Sequence, residues 1–292
     1  MSDFLKGTGV ALATPFLSDG AIDFDGVTKL VEYCIEGGVE YLVVMGTTAE
    51  SVVLSKEEKA KLVDHIVAVN DKRLPLVIGI GGNNTEAIKT EILESDLSEF
   101  DAILSVVPMY NRPTQEGIYQ HYLALNDCTP LPILLYNVPS RTGANMTAET
   151  TLRLAKLKNI VGIKEAVGDF SQVLKILKDK PEDFLVISGD DMLALPAVAA
   201  GGAGVISVVG QGVPGHFSEM IRLGLQGKTE QAFSKLYQLI PLIDYAFEEG
   251  NPAGIKNILK HKQICDDGVR LPLVPVSDEL SNKIKSFLDK LS

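Results

Sequence analysis

The chain has 292 residues, 46% apolar and 22% charged, which suffices for one large core or two modest ones. A formal charge of −11 argues against nucleic acid and anionic membrane surfaces as general partners, and any positive field must be local. Cys34, Cys128 and Cys265 are far apart without CxxC spacing, the N-terminus lacks a secretion-signal pattern, and no apolar run nears the roughly 20 residues of a membrane span; these features predict a reduced, cytoplasmic protein.

Eight short, β-branched, mostly apolar runs recur, at 7–15, 41–46, 75–81, 101–108, 132–137, 160–165, 184–189 and 204–209. Their Val, Ile and Leu are continuous instead of alternating, the pattern of parallel strands covered on both faces. Amphipathic stretches separate them. In 24–36, Val27, Leu30, Val31, Cys34 and Ile35 form a stripe at helical spacing. Ser55-Lys56-Glu57-Glu58 and Thr147-Ala148-Glu149 read as helix starts, the first with a Ser-x-x-Glu capping box. After Gln226 only helical patterns remain, over 230–248, 253–261 and 278–291. The expected fold is an α/β (β/α)₈ TIM barrel over 1–226 with a C-terminal helical segment, 227–292, and a site at the C-terminal strand ends. A doubly wound open sheet is the competing arrangement.

The unusual residues gather at those strand ends. Lys164 closes the apolar run Asn159-Ile160-Val161-Gly162-Ile163, whereas every other lysine falls in a polar loop, at an element edge or in a helix-patterned stretch where it can be solvated. Desolvation of an amine on a buried strand lowers its pKa, and the neutral amine can attack a carbonyl to form a Schiff base. A buried stem with its head snorkelling to water is the alternative. Tyr136, one strand earlier, could converge with Lys164 and shuttle protons, or it could be an amphipathic core residue with its hydroxyl at the rim. Arg141 follows through a Pro-Ser turn and has the fork geometry that reads carboxylates, unless it is a solvated loop arginine.

Gly46-Thr47-Thr48 offers hydroxyls and free amides at a strand-to-helix turn. That is a nest for a small carboxylate, aided by the following helix dipole, and it is compatible with simple capping. His65, His121, His216 and His261 show no metal-ligand spacing, and Asp190-Asp191 reads as the cap of the helix after strand seven. Neither Gly-x-Ser-x-Gly nor a nucleotide-binding GxGxxG occurs.

Three segments together, Gly46-Thr47-Thr48-Ala49-Glu50-Ser51, Tyr136-Asn137-Val138-Pro139-Ser140-Arg141-Thr142-Gly143 and Gly162-Ile163-Lys164-Glu165-Ala166, strongly resemble the 4-hydroxy-tetrahydrodipicolinate synthase (dihydrodipicolinate synthase) family. That family lies within the pyruvate-dependent class I aldolases, and the similarity covers nearly the whole chain. Tyr110-Asn111-Arg112-Pro113 and Ser188-Gly189-Asp190-Asp191 add to it.

The resemblance implies condensation of pyruvate with L-aspartate-4-semialdehyde on the route to diaminopimelate and lysine. It implies no cofactor beyond a covalent imine between Lys164 and pyruvate. Tyr136, Thr47 and Tyr110 would relay protons, with Tyr110 reaching in from a neighbouring subunit. Thr48 would hold the pyruvate carboxylate, Arg141 that of the semialdehyde, and backbone carbonyls at Gly189 and Ile206 would line the pocket. A homotetramer built from two tight dimers is implied by analogy.

Two departures stand out. Ala49 replaces a common glycine, a swap tolerated at negative φ and strained at positive φ. Met109 replaces a tyrosine usual in members inhibited by lysine, and Lys56 and Lys59 align with histidines of those members, although Ser51, Asn83 and Glu86 remain. Weak or absent feedback by lysine is the expectation. The rival readings are another lyase of the superfamily, such as an N-acetylneuraminate lyase or a 2-keto-3-deoxy-sugar-acid aldolase, and a non-catalytic barrel that binds small keto acids.

Overall fold

The computed structural model describes residues 3–291. Met1, Ser2 and Ser292, which belong to the two ends of the sequence reading, lie outside the described residues. Strands β1 (Gly7–Ala11), β2 (Tyr41–Val44), β3 (Leu76–Gly79), β4 (Ala102–Val106), β5 (Ile133–Asn137), β6 (Ile160–Glu165), β7 (Leu185–Ser188) and β8 (Gly204–Ser207) close in chain order into a barrel. Every neighbouring pair is parallel, including β1 with β8. The expected TIM barrel is the fold.

Both faces of each strand are buried, which is why the runs read as continuous. Alternate residues such as Ala11, Tyr41, Val43, Val77, Leu134 and Ile206 fill the barrel. Their neighbours, among them Val10, Leu42, Ile78, Ile103, Ile133 and Ile163, face the helices. Tyr41 fits inside because β1 carries Gly9 opposite it, where a Cβ would come within 2.1 Å of the ring. Several predicted runs extend beyond the ladder. Run 7–15 stops pairing at Ala11, and its tail is held by other groups: Ala13 N donates to Gln211 Oε1 at 2.8 Å, and Thr14 Oγ1 donates to Ala49 O at 2.7 Å.

The outer layer begins with α1 (Phe24–Glu36), α2 (Lys56–Asn70), α3 (Thr85–Glu94) and α4 (Gln115–Asn126). It continues through the single turn α5 (Pro139–Thr142), then α6 (Ala148–Leu154), α7 (Phe170–Asp179), α8 (Ala194–Ala199) and α9 (Pro214–Leu225). The capping box at α2 is present: Glu58 N donates to Ser55 Oγ (3.1 Å) and Ser55 N to Glu58 Oε2 (2.8 Å). Thr147 caps α6 through Thr150 N.

The last helices are α10 (Thr229–Glu248), α11 (Ala253–His261) and α12 (Asp278–Leu288), so α12 stops short of the expected residue 291. They have no core of their own. Leu236, Leu239 and Ile243 of α10 share one cluster with Leu195, Val205, Phe217 and Ile221 of the barrel layers. One expectation about lysines fails here. Lys256 of α11 is 0% exposed, because α11 is covered on several sides and its helical pattern does not reveal that. Among the described residues no helix is long and apolar enough to cross a membrane.

Candidate active site

Tyr136 and Lys164 are register partners in the β5–β6 ladder, so both side chains point into the barrel at the same level. Lys164 is 5% exposed and its Nζ lies 4.4 Å from the Tyr136 ring centroid. Among the described residues Lys164 forms no ion pair, whereas the other deeply buried lysine, Lys256, is paired with Glu50 at 2.5 Å. Gly189 makes room for the Lys164 stem, since a Cβ at that position would lie 3.0 Å from Lys164 Cγ and from Cε. A buried amine without an ion-pair partner among the described residues, set beside a phenol, is an arrangement on which Schiff-base chemistry can be built.

Arg141 lies on α5, exposed at the mouth, because Pro139 starts a turn directly after β5 and Gly143 (φ 70) ends it. Its Nη2 donates to the carbonyl of Asn251 at 3.3 Å, and Asn251 Nδ2 donates to Thr48 Oγ1 at 3.1 Å. Asn251, from the α10–α11 connection, thus links two residues singled out in the sequence. It was not anticipated. The only signal was the Gly250-Asn251-Pro252 break between two helices, a turn composition that does not say where the turn lands.

The Gly46–Glu50 loop differs from expectation in one respect. Thr47–Ala49 form a single 3₁₀ turn, and α2 begins only at Lys56, so no long helix dipole stands at the nest. Ala49 N returns to Gly46 O, and the amides of Thr47 and Thr48 open the turn without an intrahelical acceptor. Ala49 is not among the positive-φ residues, so alanine is accommodated there; Glu50 instead takes the left-handed conformation (φ 53, ψ 34).

The remaining expected residues are more dispersed. Thr48 is buried, Thr47 is exposed, and among the described residues Thr47 makes no hydrogen bond to Tyr136. Tyr110 sits at φ 69 with 89% exposure, its N donating to Thr142 O at 3.3 Å. Within one chain its side chain is therefore open to solvent. Ile206 is fully buried in the inner cluster, and Gly189 N donates to Glu165 O at 2.7 Å.

The two aspartates divide their work. Asp190 Oδ1 accepts from Met192 N and Leu193 N and so closes the turn before α8. The cap position of α8 itself, Leu193, makes no side-chain cap bond, so neither aspartate is the expected helix cap. Asp191 turns inward and accepts from Ser207 Oγ, Val208 N and Val209 N, tying the end of β7 to that of β8; burial pushes its pKa up to about 6. His121 is held near pKa 4 by burial and bonds Thr85, while His65 bonds Thr28. His121 is buried in the core and His65 is half-buried between helices.

Behind the strands, on the helix side, Glu165 follows Lys164 and pairs in register with Asn137. Its carboxylate accepts from Asn137 Nδ2 (2.9 Å) and Gln172 Nε2 (3.1 Å). Burial raises its pKa from 4.5 to about 7, against the lowering effect of these donors. A folded-state pKa above the unfolded value means stability that is complete below about pH 4.5 and is lost as pH rises through about 7. Glu165→Gln is expected to remove that slope. Between about pH 5 and 8 the wild type should lose roughly 2–3 kcal/mol relative to the variant. Urea midpoints across this range check it, and parallel curves would contradict it.

The chain matches the model of the dihydrodipicolinate synthetase family over residues 4–291. A 4-hydroxy-tetrahydrodipicolinate synthase of Flavobacterium psychrophilum is 55% identical over 98% of both chains. The solved dihydrodipicolinate synthase of Thermotoga maritima superposes with a TM-score of 0.95 at 37% identity, over 98% of each chain. The chloride-inhibited enzyme from Acinetobacter baumannii, solved with pyruvate, gives 0.94 at 37% identity, again over 98% of each. A buried Lys164–Tyr136 pair at the mouth of an eight-stranded barrel, in a sequence alike from end to end, leads to one conclusion: this chain belongs to the dihydrodipicolinate synthetase family.

Proposed function

We propose that this enzyme condenses pyruvate with L-aspartate-4-semialdehyde to give 4-hydroxy-tetrahydrodipicolinate and one water. The observation that carries the reading is the register pairing of Lys164 with Tyr136 inside the barrel. Lys164 Nζ adds to the keto carbon, and the carbinolamine loses water to give an iminium. The iminium draws electrons from the methyl C–H bond, releasing a proton and leaving an enamine. The enamine carbon attacks the aldehyde, whose oxygen takes up a proton. The substrate's own amine then attacks the iminium carbon, closing the ring and expelling Lys164 as the free amine.

Tyr136 is the proton shuttle at Lys164 in this scheme, and Thr48 with the amides of its turn receives the pyruvate carboxylate. Arg141, exposed at the rim, receives the carboxylate of the semialdehyde, and Gly189 and Ile206 line the pocket. Tyr110 and Thr47 complete the relay, Tyr110 from a second copy of the chain. Its exposure supports that assignment, which requires at least a dimer; a pair of such dimers is the assembly we infer. We assign residues 1–226 as the catalytic barrel, 227–292 as its helical segment, and the cytoplasm as the compartment.

Arg141→Ala tests the choice of second substrate. The expected result is a fall of about 10²-fold or more in kcat/KM for the semialdehyde, while borohydride still traps pyruvate on the enzyme. Undiminished use of the semialdehyde would show that Arg141 does not receive its carboxylate, whereas wild-type enzyme that cleaves a 2-keto-3-deoxy sugar acid and ignores the semialdehyde would favour a sugar-acid lyase of the same superfamily.

Lysine should inhibit weakly or not at all. Lys56 and Lys59 would repel an effector's ammonium, and the Glu86 carboxylate is already engaged by Lys89 at 3.1 Å. Sub-millimolar L-lysine leaving initial rates unchanged is the expected outcome, and strong inhibition would reject it.

A further inference from the structure

Lys256 and Glu50 have no role in the chemistry above, yet they form an ion pair at 2.5 Å with side chains 0% and 2% exposed. Two charges taken out of water are costly unless their remaining hydrogen-bonding groups are met. Here they are met. Lys256 Nζ also donates to Gly268 O at 2.8 Å and lies 4.1 Å from the Phe16 ring centroid, and Arg270 N donates to Glu50 Oε2 at 3.0 Å.

The location of the pair gives it meaning. Glu50 is a non-glycine residue in the left-handed region, a conformation that persists only when its surroundings enforce it. Its own N–H donates to Thr47 O at 3.1 Å, so it ends the turn that presents Thr47 and Thr48. Thr14 Oγ1 grips the same turn through Ala49 O, and Asn251 Nδ2 grips Thr48 Oγ1. Two of the groups that fix this turn, Asn251 and Lys256, come from the C-terminal helical segment, more than 200 residues away in sequence.

We propose that Lys256, acting through Glu50, is a positioning residue for the keto-acid carboxylate pocket. The buried pair pins Glu50 in its left-handed conformation and thereby sets the aim of Thr48 and its neighbouring amides. The C-terminal segment then governs capture of the first substrate and leaves the chemistry at Lys164 alone. This rests on the reading that Thr48 and its turn receive the pyruvate carboxylate.

Two variants test it. Lys256→Met leaves the Glu50 carboxylate buried and unpaired, and its melting temperature should drop. Glu50→Gln with Lys256→Met removes both charges, and replacement of a buried pair in this way is often neutral for stability. Kinetics are taken well below the lowest melting temperature, so that every constant belongs to folded enzyme. The double variant is expected to raise KM for pyruvate about tenfold or more, with kcat and the KM for semialdehyde within about threefold of wild type.

A pyruvate KM within about threefold of wild type in the double variant, or a fall in kcat without a change in that KM, overturns the inference. A purely structural ion pair would give the first of these results. Wild-type enzyme treated with pyruvate and borohydride keeps the two readings apart. Absence of trapping there defeats the proposed function, while normal trapping with an unchanged pyruvate KM in the double variant defeats only the role of Lys256.

Discussion

Lys164→Met should abolish turnover, lowering kcat by at least roughly 10⁴-fold, while the protein stays folded. The amine is the only group in the scheme that can hold pyruvate covalently, so without it the methyl C–H bond has no electron sink. Methionine fills most of the same space with an unbranched chain. Because Lys164 forms no ion pair among the described residues, its loss leaves no buried carboxylate unpaired. The melting temperature should therefore change little, in contrast to Lys256→Met. Steady-state rates paired with thermal melts of the same preparations check this. A variant that is folded and still active to within about tenfold would exclude Lys164 as the nucleophile.

Tyr136→Phe should cost about 10²- to 10³-fold in kcat, the range that a positioned acid–base group supplies. Its ring contacts Lys164 and belongs to the inner core, whereas its hydroxyl makes no hydrogen bond among the described residues. Removing one oxygen keeps the packing and takes away the proton carrier. The expected pattern is a fall in kcat with little change in either KM, and slower but complete trapping of pyruvate by borohydride. Unchanged kcat would make Tyr136 a packing residue and move the relay elsewhere.

Much of this architecture is written in local patterns. The eight apolar runs betray a parallel barrel because helices outside and side chains inside bury both faces of each strand. Lys164 stands out for the same reason: a lysine closing such a run can bring its amine to polar surroundings only at the barrel mouth. The order of the strands then puts Tyr136 beside it, as the observed register has it.

Long-range packing is what the patterns do not carry. Lys256 occupies a helical position that reads as solvated, and it is buried by the Gly268–Arg270 stretch, the Glu50 loop and Phe16 folding against α11. Asn251 is one polar residue in a helix break until that break is set against Thr48 and Arg141. Asp190 and Asp191 are indistinguishable as a pair of acids, yet one caps a turn and the other stitches β7 to β8. The apolar runs outreach the strands where the chain stays buried after leaving the ladder, since burial and not pairing sets the composition.

The chemistry proposed for this barrel depends on a single covalent bond. Wild-type enzyme incubated with pyruvate and reduced with borohydride should gain the mass of one reduced pyruvate adduct per chain, and digestion should locate it on the peptide bearing Lys164. An unmodified chain, or an adduct on any other lysine, would contradict the account.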